Sequence, residues 1–319
     1  MTAPMREVDS LLSGPTGQDS SPVTRLPEAE AESPSSIPLR CVFSVDVEDW
    51  YHILDVPSAP PMSEWDRLPS RVEENLVKLL DVFAEKGVLT TCFFVGWIAE
   101  KYPHLVKEAQ GRGHEVASHG YAHKLVYEMT PTEFLQDAVR SRRILEDLLG
   151  QPVVGYRASG FSVTPKTPWF FDVLIEAGYQ YDSSVFPARR GHGGLEGSGY
   201  APYLATRGGK SLVEFPISVK EILRLRVCFF GGGYLRIFPY ALIRRMARSV
   251  LKEGRPVVFY VHPREIDPTH PRLPMAAHRK FKSYINLDST EQKIRRLISD
   301  FDFVTFQSLL AKNERLLGG

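Results

Sequence analysis

The chain has 319 residues, 43% of them apolar, and 39 basic against 38 acidic side chains leave a formal net charge of +1. That is apolar material enough for one large domain of about 250 residues, the size of an α/β barrel. The balanced charge excludes the basic stripe with which a protein neutralises a phosphate backbone, so nucleic acid is not an expected partner.

Residues 1–39 are rich in Ser, Pro and Glu and show no basic start, apolar run or small-residue cleavage site, which predicts a disordered tail and, by default, a cytoplasmic location. No apolar stretch approaches the roughly 18 to 20 residues needed to cross a bilayer. From Arg40 onward short β-branched runs alternate with amphipathic stretches, a βαβα rhythm without any repeat of solenoid length. Cys41 to Val45 reads as the first strand. Arg71 to Lys86 reads as a helix with Val72, Leu76, Leu79 and Phe83 on one face, a capping box from Ser70 and Glu73, and a left-handed stop at Gly87. Thr91 to Val95 follows as a strand, Ile98 to Gln110 as a helix interrupted near Pro103, and His114 to Ser118 as a third strand. A helix from Thr130, Pro131 and Glu133 to Gly150 comes next. Val153 to Tyr156, Tyr179 to Asp182, Val213 to Ile217 and Val257 to Val261 are further strands, with helices near Trp169 to Ala177, Tyr240 to Glu253 and Thr290 to Asp300, before a last strand at Phe303 to Phe306. Gly191 to Gly209 reads as a long irregular loop. Cys41, Cys92 and Cys228, an odd number without CxxC spacing, read as reduced core residues.

The chemically interesting residues recur at strand ends: Asp46, Glu48 and Asp49 after the first, His119 and His123 after the third, then Arg157, Asp182 and His262 after three more. In parallel α/β sheets and barrels those ends share one rim, so groups far apart in sequence converge there. Two imidazoles four residues apart suit one metal ion, and Gly120 stands where a zincin has Glu. Asp46 and Glu48 point the same way from an extended strand; Asp49 joins them only if the chain turns at once, so both Glu48 and Asp49 stay open as the carboxylate ligand. The pattern points to metal-assisted hydrolysis. Each residue also has a plainer reading. Arg157 alone suits a surface ion pair, Asp182-Ser183-Ser184 a turn, and His262 before Pro263 a strand end. Trp50, Tyr51, Phe161 and Tyr127 offer flat faces to sugar rings or simply pack the rim. No glycine run has the context of a phosphate loop.

In this order, Asp46-Val47-Glu48-Asp49, Ser118-His119-Gly120-Tyr121-Ala122-His123, Arg157-Ala158-Ser159-Gly160, Asp182-Ser183-Ser184 and Val261-His262-Pro263 resemble the motifs of the polysaccharide deacetylase family, the NodB homology domain of carbohydrate esterase family 4 type. Val45 to His52, Gly231 to Tyr234 and Phe281 to Leu287 further resemble the subgroup found with exopolysaccharide and exosortase systems, with its DUF3473-like C-terminal region. The resemblance covers about Leu39 to Phe306. It implies an irregular (β/α)7 barrel in one domain over 40–310, with 311–319 as a tail. The activity it implies is removal of N-acetyl groups from N-acetylhexosamine units of a polysaccharide or its lipid-linked precursor, and it leaves room for peripheral association with the exopolysaccharide assembly machinery. By the same resemblance a divalent metal, Zn²⁺ or else Co²⁺ or Ni²⁺, sits on His119, His123 and Glu48 or Asp49. Asp46 is then the general base, oriented by Arg157, and His262 the general acid, its ring held by Asp182. Two departures stand out: Val47 separates carboxylates that are adjacent in the usual first motif, and Ser159 stands in place of a proline. The first keeps open a metal-independent ring-amide hydrolase of the allantoinase type, the second a non-catalytic glycan-binding scaffold.

Overall fold

The structure, a computed structural model, describes residues 40–188 and 193–317; the expected N-terminal tail lies outside the described residues. In chain order the elements are β1 (Cys41–Val47), α1 (Val72–Ala84), β2 (Thr91–Phe94), α2 (Gly96–Lys101), α3 (Pro103–Gly111), β3 (Glu115–Ser118), α4 (Pro131–Leu149), β4 (Gly155–Tyr156), α5 (Phe170–Glu176) and β5 (Tyr181–Asp182). They continue with β6 (Tyr203–Arg207), β7 (Lys210–Glu214), β8 (Lys220–Ile222), β9 (Leu225–Val227), α6 (Gly232–Ile237), α7 (Tyr240–Lys252), β10 (Val257–Val261), α8 (Ala277–Tyr284), α9 (Thr290–Asp300), β11 (Phe303–Val304) and α10 (Phe306–Leu317).

The main sheet runs β10-β1-β2-β3-β4-β5-β7-β6 and is parallel except for the β6–β7 hairpin. β1 is buried along its whole length, as expected of a central parallel strand covered on both faces. It pairs with β10 from Cys41↔Val257 to Val45↔Val261 and with β2 from Ser44↔Thr91 to Val47↔Phe94, while β11 takes its first two residues. Irregular segments close the curve. Ser218 Oγ accepts from Val258 N at 2.9 Å, and Tyr260 N donates to Phe230 O at 3.2 Å beside the Gly231↔Tyr260 bridge. Gly231 must be glycine here, since a Cβ would lie 2.1 Å from the Tyr260 ring.

Two apolar clusters result. The outer one packs α1, α3, α4 and α7 against the sheet; the inner one fills the barrel with Val42, Phe93, Tyr181, Phe215, Val258 and, from α10, Phe306 and Leu310. Each such side chain contributes about 1.5–3 kcal/mol by leaving water. α10 plugs the end opposite the strand C-termini: Phe306 N donates to Thr91 Oγ1 and Gln307 N to Glu115 Oε2, both at the entrances of their strands. Cys41, Cys92 and Cys228 are buried.

The sequence reading needs three corrections. The interval expected as an irregular loop contains β6, which alternates buried Tyr203 and Ala205 with more exposed neighbours and turns into β7 through Gly208 and Gly209, both at positive φ. β8, β9, α6, α8 and α10 were not expected, and α10 runs to Leu317 where a tail was expected from residue 311. The first amides of α1 are capped from afar: Arg71 N and Val72 N donate to Asp49, and Ser70 Oγ also bonds Asp49 instead of closing a box with Glu73.

Candidate active site

β1 ends in a sharp turn, with Glu48 N donating to Asp46 O at 2.9 Å, and this turn decides between the two neighbouring carboxylates. Glu48 points at the imidazoles: its Oε1 lies 3.2 Å from His119 Nε2 and 2.9 Å from His123 Nε2. Asp49 turns away. Its oxygens are taken up by Trp50 N at 2.8 Å, Ser70 Oγ at 2.6 Å and Arg71 N at 3.0 Å, so it is a helix and turn cap with nothing left for a ligand role. The expectation that left Asp49 beside Glu48 is corrected accordingly.

β3 delivers His119, and the turn after it returns His123 to the same point. Gly120 adopts φ 70°, where an added Cβ would meet Asp137 Oδ2 at 2.8 Å, and the two Asp137 oxygens accept from Tyr121 N and Ala122 N. His123 itself sits at φ 52°, a strained position for a side-chain-bearing residue and of the kind that collects at functional sites. His119 Nδ1 lies 2.8 Å from Arg157 O; a carbonyl only accepts, so Nδ1 carries the proton and Nε2 is left to face Glu48. The nitrogen and oxygen donors of Glu48, His119 and His123 all lie within 4.8 Å of one another. Ligands about 2.0–2.2 Å from a shared zinc-like ion stand at most about 4.4 Å apart, so this N, N, O set fits a divalent cation after small adjustment. Burial alone would raise the Glu48 carboxyl, yet His123, His262 and His119 together hold it well below the usual carboxylate range.

Asp46 stands beside this triad. Its Oδ1 accepts from Arg157 Nη1 at 2.6 Å, and its Oδ2 faces His262 Nε2 at 3.9 Å. Arg157 is wholly buried, its guanidinium 4.1 Å from the centre of the Phe93 ring, and it also donates to Ser44 Oγ, Ser183 O and Ser183 Oγ. Ser159 does not loosen it, because Arg157 N is tied to Ser118 O and Ala158 N to Ser184 Oγ.

Asp182 does not touch His262. It accepts from Ser184 Oγ and Ser184 N and neighbours Glu214 on β7, so its motif braces the Arg157 loop from below, and the expected Asp182–His262 partnership is corrected. The carboxylate that holds His262 is Glu265, with Oε2 3.3 Å from Nδ1 and 3.1 Å from the His262 backbone N. Burial opposes ionisation of Glu265, but Arg236 and His262 hold its carboxyl down at about 2. Sequence reading missed Glu265, Arg236 and Asp137. A local signal existed for the first, since Glu265 stands three residues after His262 with Pro263 between, as in a helix-start box. Of the four aromatic residues considered for sugar contact, Phe161 lines the cleft, whereas Trp50 and Tyr51 are buried against each other and Trp65. The cleft measures about 750 Å³ and holds Asp46, Glu48, His262 and Glu265 on its floor.

A family model described as polysaccharide deacetylase matches residues 62–181, and one described as a domain of unknown function, DUF3473, matches 183–311. Residues 62–181 thus carry a polysaccharide deacetylase domain, followed by a DUF3473 domain. The fold is the deformed (β/α)7 barrel seen in solved structures of similar shape. A candidate polysaccharide deacetylase from Mycobacterium smegmatis superposes with a TM-score of 0.59 at 21% identity, covering 91% of this chain and 94% of that one. An allantoinase superposes with a TM-score of 0.60 at 16% identity, covering 91% and 96%. Among curated proteins, the peptidoglycan deacetylase of Helicobacter pylori is 25% identical over 153 residues, 48% of each chain. The peptidoglycan-N-acetylglucosamine deacetylase of Bacillus cereus is 32% identical over 73 residues, 23% of this chain and 26% of that protein. The matched stretches thus span half or less of these curated relatives. Among the described residues, no helix is long and apolar enough to cross a membrane.

Proposed function

We propose that this chain is a metal-dependent N-deacetylase acting on N-acetylhexosamine units of a polysaccharide or its lipid-linked precursor in exopolysaccharide biosynthesis. One observation carries the reading: the ligand atoms of Glu48, His119 and His123 converge within 4.8 Å beside an Asp46 clamped by a buried arginine. Glu48 completes the triad, which removes the reason for preferring a metal-independent ring-amide hydrolase. A tightly held Arg157 likewise removes the reason for a non-catalytic scaffold.

Amide hydrolysis needs a better nucleophile, a better electrophile and a protonated leaving amine. A divalent ion, most simply Zn²⁺ with Co²⁺ or Ni²⁺ as substitutes, supplies positive charge that acidifies water and polarises a carbonyl when bound. The protein's own groups handle the protons. Arg157 occupies Asp46 Oδ1, leaving Oδ2 to take a proton from the attacking water. His262, with Nδ1 fixed by Glu265, presents Nε2 to the same space and gives its proton to the amine nitrogen as the C–N bond breaks, releasing acetate and a free amino sugar. Glu265 keeps the ring oriented and supports its charged form.

The test is acetate release from partly acetylated glucosamine oligomers by protein loaded with each of the three metals, together with elemental analysis. About one ion per chain is expected, lost in His119→Ala; Asp46→Asn keeps the ion and lowers kcat about 10²- to 10⁴-fold. No acetate from any of several acetylated glycans would overturn the reading.

A further inference from the structure

The cleft walls carry a charge pattern that deacetylation of a neutral sugar does not require. The carboxylates lining the cleft, Asp46, Glu48 and Glu265, are each engaged, with Arg157, the two imidazoles, and Arg236 with His262 respectively. The same cleft is lined by Arg264, Arg279 and Lys282, and by His278. Among the described residues none of these three cations stands within ion-pair distance of a carboxylate. Arg264 follows the proposed general acid by two positions, and its Nε is buried without a hydrogen-bond partner.

The wall is built, not incidental. Arg236, itself buried, donates through Nη1 to Ser283 O at 2.8 Å and through Nη2 to Lys282 O at 2.7 Å, pinning the C-terminal turn of α8 to the cleft. Arg279 fixes the other end by donating to Leu54 O, and Leu273 N is tied to Tyr284 Oη at 2.9 Å. None of the eight residues of α8 is buried, so packing of a core does not explain where the helix sits. A basic helix on a surface usually presents its charge to bulk water, but here His278, Arg279 and Lys282 line the cleft.

We infer that the cleft takes an anionic glycan: the N-acetyl sugar over Asp46 and His262 is flanked by a unit carrying an oxyanion, carboxylate or phosphate, that lies against Arg264, Arg279 and Lys282. This rests on the deacetylase reading for the position of the sugar, but the charge recognition has its own readout. A cleft lined by one sign of charge concentrates the opposite sign and speeds its capture, and salt screens the effect.

Three probes separate the sources of the anion: a neutral N-acetylglucosamine tetramer, a tetrasaccharide alternating N-acetylglucosamine with glucuronate, and UDP-N-acetylglucosamine for the pyrophosphate case. Both acetate release and calorimetric binding are measured with the full chain, and with Arg264→Ala, Lys282→Glu and the charge-preserving Lys282→Arg. At least one charged probe is expected to bind about tenfold or more tighter than the neutral tetramer at low salt. That ratio collapses in Arg264→Ala and Lys282→Glu and returns in Lys282→Arg, and whichever probe gains identifies the carboxylate or the phosphate. Binding that is charge-selective without acetate from any probe would sink the deacetylase reading and leave this inference standing. Equal affinity for neutral and charged probes, or a ratio that Lys282→Glu leaves untouched, would overturn the inference.

Discussion

Glu48 and Asp49 are neighbours with the same charge and opposite jobs, and the difference is one turn of backbone after Val47. Glu48 shares its oxygen between two imidazoles, while Asp49 caps the starts of α1 and of the short helix that begins at Trp50. Asp49→Ala leaves several buried amides and Ser70 without their acceptor, so it should lower stability by about 2 kcal/mol and keep the metal content unchanged. Glu48→Gln should instead strip the ion, and it brings no gain in stability either, because the three imidazoles around Glu48 favour its ionised carboxyl in the folded state. Thermal melts paired with elemental analysis of both variants check the assignment, and loss of metal in Asp49→Ala with retention in Glu48→Gln would invert it. Strand parity made Asp46 and Glu48 readable as one face. Where the chain turned was not readable, because that depends on Arg71 and Val72, more than twenty residues away, offering amides to Asp49.

At the scale of elements, the strands that build the rim were legible because each is a short β-branched run with a chemical residue at its end. The elements that were missed carry weaker patterns. β8 and β9 meet through Leu223 and Arg224, both at positive φ where Gly or Asn would have announced a turn, and α8 has no buried face to set an apolar period. The Asp182 motif was given the wrong partner, since its side chain meets Glu214 from the adjacent strand. Burial raises Asp182 to about 6 and, with the Asp182 charge beside it, pushes Glu214 well above the carboxylate range, so the pair keeps a proton that the unfolded chain would release. Both folded-state values exceed the unfolded ones. The stability their protons confer is therefore full below about pH 4 and declines as pH rises, first as Asp182 ionises at about 6 and later as Glu214 does, and the loss by pH 8 is on the order of 1 kcal/mol or more. Glu214→Gln mimics the protonated partner: its amide oxygen still accepts from Val185 N, and its amide hydrogens replace the carboxyl proton toward Asp182. Urea melts from pH 4 to 8 should show the decline in the parent protein and a flatter profile in the variant. An unchanged slope would mean that the two carboxylates do not share a proton.

At the scale of the whole molecule, the boundary between the two family-model matches, at residue 182, falls inside one continuous sheet. β1 lies outside both matches yet takes β2 from the first and β10 and β11 from the second as its neighbours. Of the proposed site, Asp46 comes from β1 and Glu48 from the turn just after it, His119, His123 and Arg157 from the first matched segment, and His262 and Glu265 from the second. The second segment also supplies Phe215, Val258, Phe306 and Leu310 to the barrel interior. A fragment ending at Ala188 would expose one edge of β1 and open the barrel floor around Phe93 and Tyr181, leaving buried strand amides such as Cys41 N, which donates to Asp302 O, without acceptors. It should therefore fail to fold alone, and the full chain should unfold in one transition, with amide protons of β1 and β10 exchanging only through global opening. Circular dichroism of the fragment and hydrogen exchange of the whole chain test this together. A cooperative melt from the fragment would mean that the second segment is an addition to a finished barrel; an unfolded fragment would mean that the proposed site and the fold are completed in the same step, by the return of β10 to the side of β1.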